Sequence, residues 1–144
     1  MKILVSIDLK HRDLPSSALI GFHLEKLGHE VKFCSVWDED LIMKNFRADA
    51  IILPKPVFSS TLVAKWKLKG ITTISLNTEG NPQDKHYQYH IIVATDLLIT
   101  WNEKQRKSHL DFFKKYPSST YGRPEVVNLG CMRLDLHHKK YSFL

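Results

Sequence analysis

Cysteine is scarce. The 144 residues hold two, Cys34 and Cys131, far apart in the chain. They form no C-x-x-C pair and no metal-ligand spacing, which excludes a disulfide framework and a zinc ribbon. A reduced, cytoplasmic setting is the expectation. Long apolar runs are also missing, and none approaches the ~18–20 residues of a membrane span. The apolar start, Ile3 to Ile7, is cut by Asp8 and lacks a cleavage pattern, so it reads as a strand and not as a signal peptide. There is no G-x-G-x-x-G and no G-x-x-x-x-G-K-[ST], so the usual dinucleotide and P-loop signatures are absent. There is no G-x-S-x-G elbow. Neither cysteine has the basic, helix-start setting of an activated thiolate. The eight histidines form no metal box: His86 and His90 are i,i+4 but lack a third ligand, and His137 and His138 are adjacent. Neither a metal nor a cofactor is expected. No repeat, low-complexity tract or internal linker is visible.

What is present is an ordinary globular composition, 43% hydrophobic and 25% charged, in a chain of one domain's length. The balance is basic, +6 at neutral pH. A basic balance favours phosphate, nucleic-acid or anionic membrane partners. The plainer reading is a solvated face, because the densest run, Lys104, Arg106, Lys107, Lys114 and Lys115, has the look of one helix's outer side. Nucleic acid is not expected as a partner.

Short apolar runs alternate with longer amphipathic ones. Strands are expected at Lys2–Ile7, Glu30–Ser35, Ala48–Leu53, Ile71–Leu76, Asp96–Trp101 and Glu125–Leu129. Helices are expected at Ser16–Leu27, with Pro15 in its first turn and Gly28 as its stop, and at Asp38–Phe46, Ser59–Lys69 and Asn102–Lys115. Asn102 with Gln105 three residues on approximates a capping box. Within the first helix, His23 reads as a partly buried histidine of an apolar stripe. Trp66, Phe112 and Phe113 read as core residues. Thr78–Tyr89 and Ser118–Pro124 read as loops, Tyr87–Ala94 is ambiguous, and the tail from His137 is unassigned. Strand–helix alternation repeated about five times argues for an α/β fold, a mostly parallel sheet of about six strands with helices on both faces.

In open α/β sheets ligands bind beyond the carboxyl ends of the strands. The loop after the first strand, Asp8 to Asp13, is charged and precedes a helix start. Lys10, His11 and Arg12 there would suit a phosphate or carboxylate, or else the loop's charges cap neighbouring helices. Lys55 follows the third strand, and Thr78, Glu79 and Gly80 follow the fourth. Glu79 would serve as a general base or bind sugar hydroxyls, or else be a water-exposed turn carboxylate. Asn102 and Glu103 follow the fifth strand, and Arg133 follows the sixth.

The run Lys10-His11-Arg12-Asp13-Leu14-Pro15, with the helix end His23-Leu24-Glu25-Lys26-Leu27-Gly28-His29-Glu30-Val31, resembles the N-terminal halves of bacterial surface carbohydrate biosynthesis proteins. Those are GT-B-like glycosyltransferase relatives, akin to CDP-glycerol glycerophosphotransferases. The likeness continues through Ala48 to Pro54, Asn77-Thr78-Glu79-Gly80, Trp101-Asn102-Glu103-Lys104-Gln105 and Gly130-Cys131-Met132-Arg133-Leu134-Asp135. In the last segment Met132 stands where the family has proline. The resemblance covers residues 1–136, leaving 137–144 as a tail. It implies a three-layer Rossmann-like domain, the acceptor-side half of a transferase that lacks its donor-binding half. It further implies a glycan or phosphorylated acceptor, a second Rossmann-like domain or a homodimer as partner, and inactivity alone. His11 and Glu79 are then the catalytic candidates. Lys10, Arg12, Asp13, Lys55, Thr78, Gly80, Asn102, Glu103 and Arg133 are the binding candidates. The alternative is a stand-alone binding or dimerisation module without catalysis.

Overall fold

Six short apolar runs become the strands of one parallel sheet in the computed structural model, which describes residues 1–54, 60–76, 95–115 and 123–135. In chain order the elements are β1 (Lys2–Ile7), α1 (Lys10–Lys26), β2 (Glu30–Ser35), α2 (Glu39–Phe46), β3 (Ala50–Leu53), α3 (Ser60–Leu68), β4 (Thr72–Leu76), β5 (Leu97–Thr100), α4 (Glu103–Lys115), β6 (Glu125–Asn128) and α5 (Met132–Asp135). The strand order is β2-β1-β3-β4-β5-β6 and every pairing is parallel. The chain steps outward from β1 to β2 and then crosses back to β3. The order therefore reverses at β1, which places the topological switch point between β1 and β3.

That reversal puts helices on both faces. Leu4, Ile51 and Leu53 pack with Met43 and Phe46 of α2 and with Val63 and Trp66 of α3. Ile3, Val5, Ala50 and Ile52 face the other way, toward Ile20 and Leu24 of α1 and Met132 of α5. Leu98 and Val126 pack under Phe113 of α4. Strands covered on both sides need near-continuous apolar sequence, and β3 is buried along its whole length. The chain is a Rossmann-like α/β domain, as the alternation of the sequence predicts. The expected loop at 78–89, residues 118–122 of the expected loop at 118–124, the ambiguous stretch 87–94 and the tail from 137 lie outside the described residues.

Two elements differ from their sequence-based expectation: α5 is not expected, and α1 starts early. α1 begins at Lys10, six residues before the expected Ser16, and Pro15 lies inside it. The apolar pattern misses this start because the buried stripe of α1 is Asp13, Ser16, Ser17 and Gly21. Small and polar side chains leave no hydrophobic period to read. They allow close approach to the sheet: the ring of Phe33 on β2 lies against Gly21, where a Cβ would meet its Cζ at 2.4 Å. Turning that stripe inward turns His23 outward, so His23 is exposed and not partly buried.

The end of α1 follows its sequence signal. Gly28 takes φ +83. Its N–H donates to the Glu25 carbonyl (2.9 Å) and that of His29 to Leu24 (3.1 Å), the two bonds of a Schellman motif. Nothing lies within 4 Å of a Cβ built at Gly28, so a side chain there meets backbone strain alone. Gly28→Ala is expected to cost ~1–2 kcal/mol, measured as a lower urea midpoint at unchanged slope.

Candidate functional site

The carboxyl ends of the strands gather the polar groups. At the end of β1, Asp13 is fully buried (0% exposed) in the first turns of α1. Its Oδ1 accepts from Arg12 Nε (2.7 Å), and its Oδ2 accepts from Arg12 Nη2 (3.0 Å) and from the Leu9 amide (3.0 Å). Arg12 Nη2 also reaches Asp8 Oδ2 at 3.1 Å. The Leu9 residue that precedes the helix offers no side-chain cap, so the Asp13 carboxylate reaches back and caps it instead. Burial pushes the Asp13 carboxyl up. The bonds from Arg12 and Leu9, with the charges of Arg12 and Arg133, outweigh that and hold it below the ordinary aspartate value.

This geometry corrects the expectation of a loop over Lys10 to Asp13 and follows the reading in which its charges cap a helix. The residues form helix, not loop, and an internal carboxylate already occupies the helix start. Asp13 cannot touch a ligand directly; its part in a site is to fix Arg12. Lys10 and His11 project from the same turn and are exposed.

A second cluster sits on the opposite face of β1. Ser6, near the carboxyl end of β1, pairs in register with Cys34 of β2. Its hydroxyl donates to Glu39 Oε1, at the first residue of α2, and also hydrogen bonds Cys34. Glu39 is 8% exposed. Burial pushes its carboxyl up to about 7 against the lowering effect of the Ser6 bond. Burial, then the charges of Glu39 and Asp38, push the Cys34 thiol up to about 12, so it is no thiolate at neutral pH. Sequence reasoning passed over Ser6 and Glu39. The available signal was a serine interrupting an apolar strand opposite the cysteine of its neighbour.

Across the sheet, β5 leads into α4 through the expected cap. Asn102 Oδ1 accepts from the Gln105 amide (2.9 Å), and Gln105 Oε1 accepts from the Trp101 amide (2.8 Å). Glu103 pairs with Arg106 at 3.0 Å, and Arg106 Nε donates to the Val126 carbonyl (3.0 Å), tying α4 to β6. An apolar cleft of ≈ 160 Å³ opens here, lined by Ile20, Leu76, Ile99, Trp101, Leu129, Gly130, Cys131 and Met132. Gly130, at φ +91, turns the chain from β6 into α5. The next residue after Met132 is Arg133, whose charge acts on Asp13.

The structure thus brings Arg12, Asp13 and Arg133 into one electrostatic group, and Arg133 adjoins Met132 of the cleft lining. Asn102 and Glu103 flank it through Trp101, and both are exposed. Lys55, Thr78, Glu79 and Gly80 lie outside the described residues. Among the described residues no group of three or more His, Cys, Asp or Glu could hold a metal ion. No helix among them is long and apolar enough to cross a membrane.

No protein-family model matches the chain, and no curated protein matches it. Among solved structures it is similar to the LacI family transcriptional regulator CcpA from Weissella paramesenteroides with bound glucose. The identity is 14% and the TM-score 0.48, over 79% of this chain and 42% of that one. The chain therefore spans less than half the length of that regulator.

Proposed function

We propose that this chain is the acceptor-side half of a GT-B-like glycosyl- or glycerophosphotransferase, with a glycan or phosphorylated polyol as its ligand and no transfer activity alone. The observation that supports this is the cleft at the carboxyl ends of β4, β5 and β6. It is apolar and faced by Trp101, and Arg133, whose charge acts on Asp13, directly follows Met132 of its lining. An aromatic wall beside fixed polar groups suits a polyol: the ring covers C–H faces while charged side chains take hydroxyl or phosphate oxygens. His11, exposed on the first turn of α1, is the candidate base among the described residues, and Glu79 keeps its sequence-based candidacy.

The alternative, a binding module without catalysis, draws on one specific observation. Arg12 and Asp13 satisfy each other, and the Ser6 hydroxyl and Glu39 carboxylate that bond each other at the end of β1 are both buried.

Amide and indole NMR spectra of the ¹⁵N-labelled chain test the proposal. Glycerol 3-phosphate or a short glycan is expected to shift the Trp101 indole signal, and Trp101→Ala to abolish binding. Cytidine diphosphate alone is expected to shift nothing. Binding of the nucleotide in place of the acceptor, or silence with every acceptor class, overturns the assignment.

A further inference from the structure

β2 is one edge of the sheet, and among the described residues nothing pairs with its outer side. The amides of Glu30 and Val36 donate to the carbonyls of Met1 and Ile7 on the β1 side. Even-numbered residues therefore turn their backbone groups inward. Val31, Phe33 and Ser35 present N–H and C=O outward, in an unbroken row with no proline, glycine or bulge. Side chains alternate across this edge. Glu30 and Lys32 stand on the α2 side, both exposed, with Lys32 Nζ 5.6 Å from the Phe46 ring centre. Val31 and Phe33 stand on the α1 side. There Phe33 is 39% exposed over Gly21, and the following helix residue, Phe22, is 50% exposed.

We propose that β2 pairs antiparallel with β2 of a second copy of this chain about a two-fold axis through Val31, joining two six-stranded sheets into one. Two-fold registers that set outward backbone groups opposite one another include those centred on Val31, Lys32 and Phe33. Centring on Lys32 opposes lysine to lysine. Centring on Phe33 sets Lys32 opposite the buried Cys34. Centring on Val31 overlaps residues 30–32 of the two strands, bonds Val31 to Val31 through the backbone, and sets Glu30 of each copy opposite Lys32 of the other, twice, at the close non-hydrogen-bonded positions where Cα atoms lie ~4.5 Å apart. The charge pattern selects this register, and the half-exposed Phe22 and Phe33 line the join on the α1 side. A two-fold pairing of this kind is isologous and uses up the β2 edge of both copies.

Sedimentation velocity over a dilution series of the full chain tests this. The expected species at high concentration has twice the 16.7 kDa of the chain. Glu30→Lys and Lys32→Glu are each expected to weaken the dimer about tenfold or more, because each opposes like charges twice. The double variant E30K/K32E restores the opposite-charge pairs and is expected to recover near-parental affinity. Circular dichroism melts confirm that each variant folds. A monomer at every concentration overturns the proposal. So does a dimer indifferent to either single reversal, or one that both reversals weaken and the double variant fails to rescue.

Discussion

Asp13→Ala is expected to cost the fold ~3 kcal/mol, the lower end of the 3–5 kcal/mol for breaking a buried ion pair. The lower end applies because Arg12 keeps Asp8 as a partner and its side chain is 21% exposed. The loss has two parts. Arg12 is left with half its charge pairing, and the Leu9 amide loses its acceptor. The helix start depends on that acceptor, so the first turn of α1 should fray toward Pro15. Urea unfolding measures the loss, and exchange of the Arg12 and Asp13 amides with deuterium locates it. Asp13→Asn separates the parts: the amide oxygen can still cap Leu9 while the ion pair is gone. A cost for Asp13→Ala below ~1 kcal/mol would show that the cap is not what starts the helix. The pH dependence has a definite sign. The folded Asp13 value lies below its unfolded one, so its contribution is present above ~3.9 and is lost as pH falls through the folded value.

Glu39→Gln is expected to do the opposite, stabilising the protein at pH 8 by up to ~3 kcal/mol. Burial pushes the folded Glu39 carboxyl up to about 7 from an ordinary 4.5. The folded state therefore holds this proton more tightly than the unfolded chain. The associated stability is full below ~4.5, falls as pH rises to about 7, and is absent above it. The gap of about 2.5 units corresponds to ~3 kcal/mol at 1.36 kcal/mol per unit. Glutamine keeps the shape, accepts from Ser6 and never ionises. Its unfolding free energy should be flat across this window while the parent's declines. If Glu39→Gln instead loses stability at pH 8, the ionised carboxylate is favoured at the start of α2, and the helix dipole outweighs burial there.

The two carboxyls were unequally legible. Asp13 stood out in a charged run, yet its role did not, because nothing in a linear string says that Arg12 turns back onto its own neighbour. Glu39 was hidden in an acidic helix start that reads as ordinary dipole complementation. Its burial arises only when α2 crosses over β1 and β2 and sets the first helical residue above Ser6 and Cys34. The Asn102–Gln105 cap and the Gly28 stop were legible, since each depends on residues within a few positions of one another.

By itself the sequence determined what is local. Apolar runs of strand length, their alternation with helices, the caps and the glycine stop are encoded in neighbouring residues, and they sufficed for a parallel α/β sheet. Tertiary structure alone decided which side chains meet. It carried α1 back to Lys10, because a stripe of Asp13, Ser16, Ser17 and Gly21 gains its worth only against the sheet. It placed the Trp101 cleft beside Arg133, residues from different strand ends joined by the order β2-β1-β3-β4-β5-β6. Hydrophobic period and capping act over a few residues, whereas burial, desolvation and charge pairing depend on groups that the crossovers bring together from across the chain.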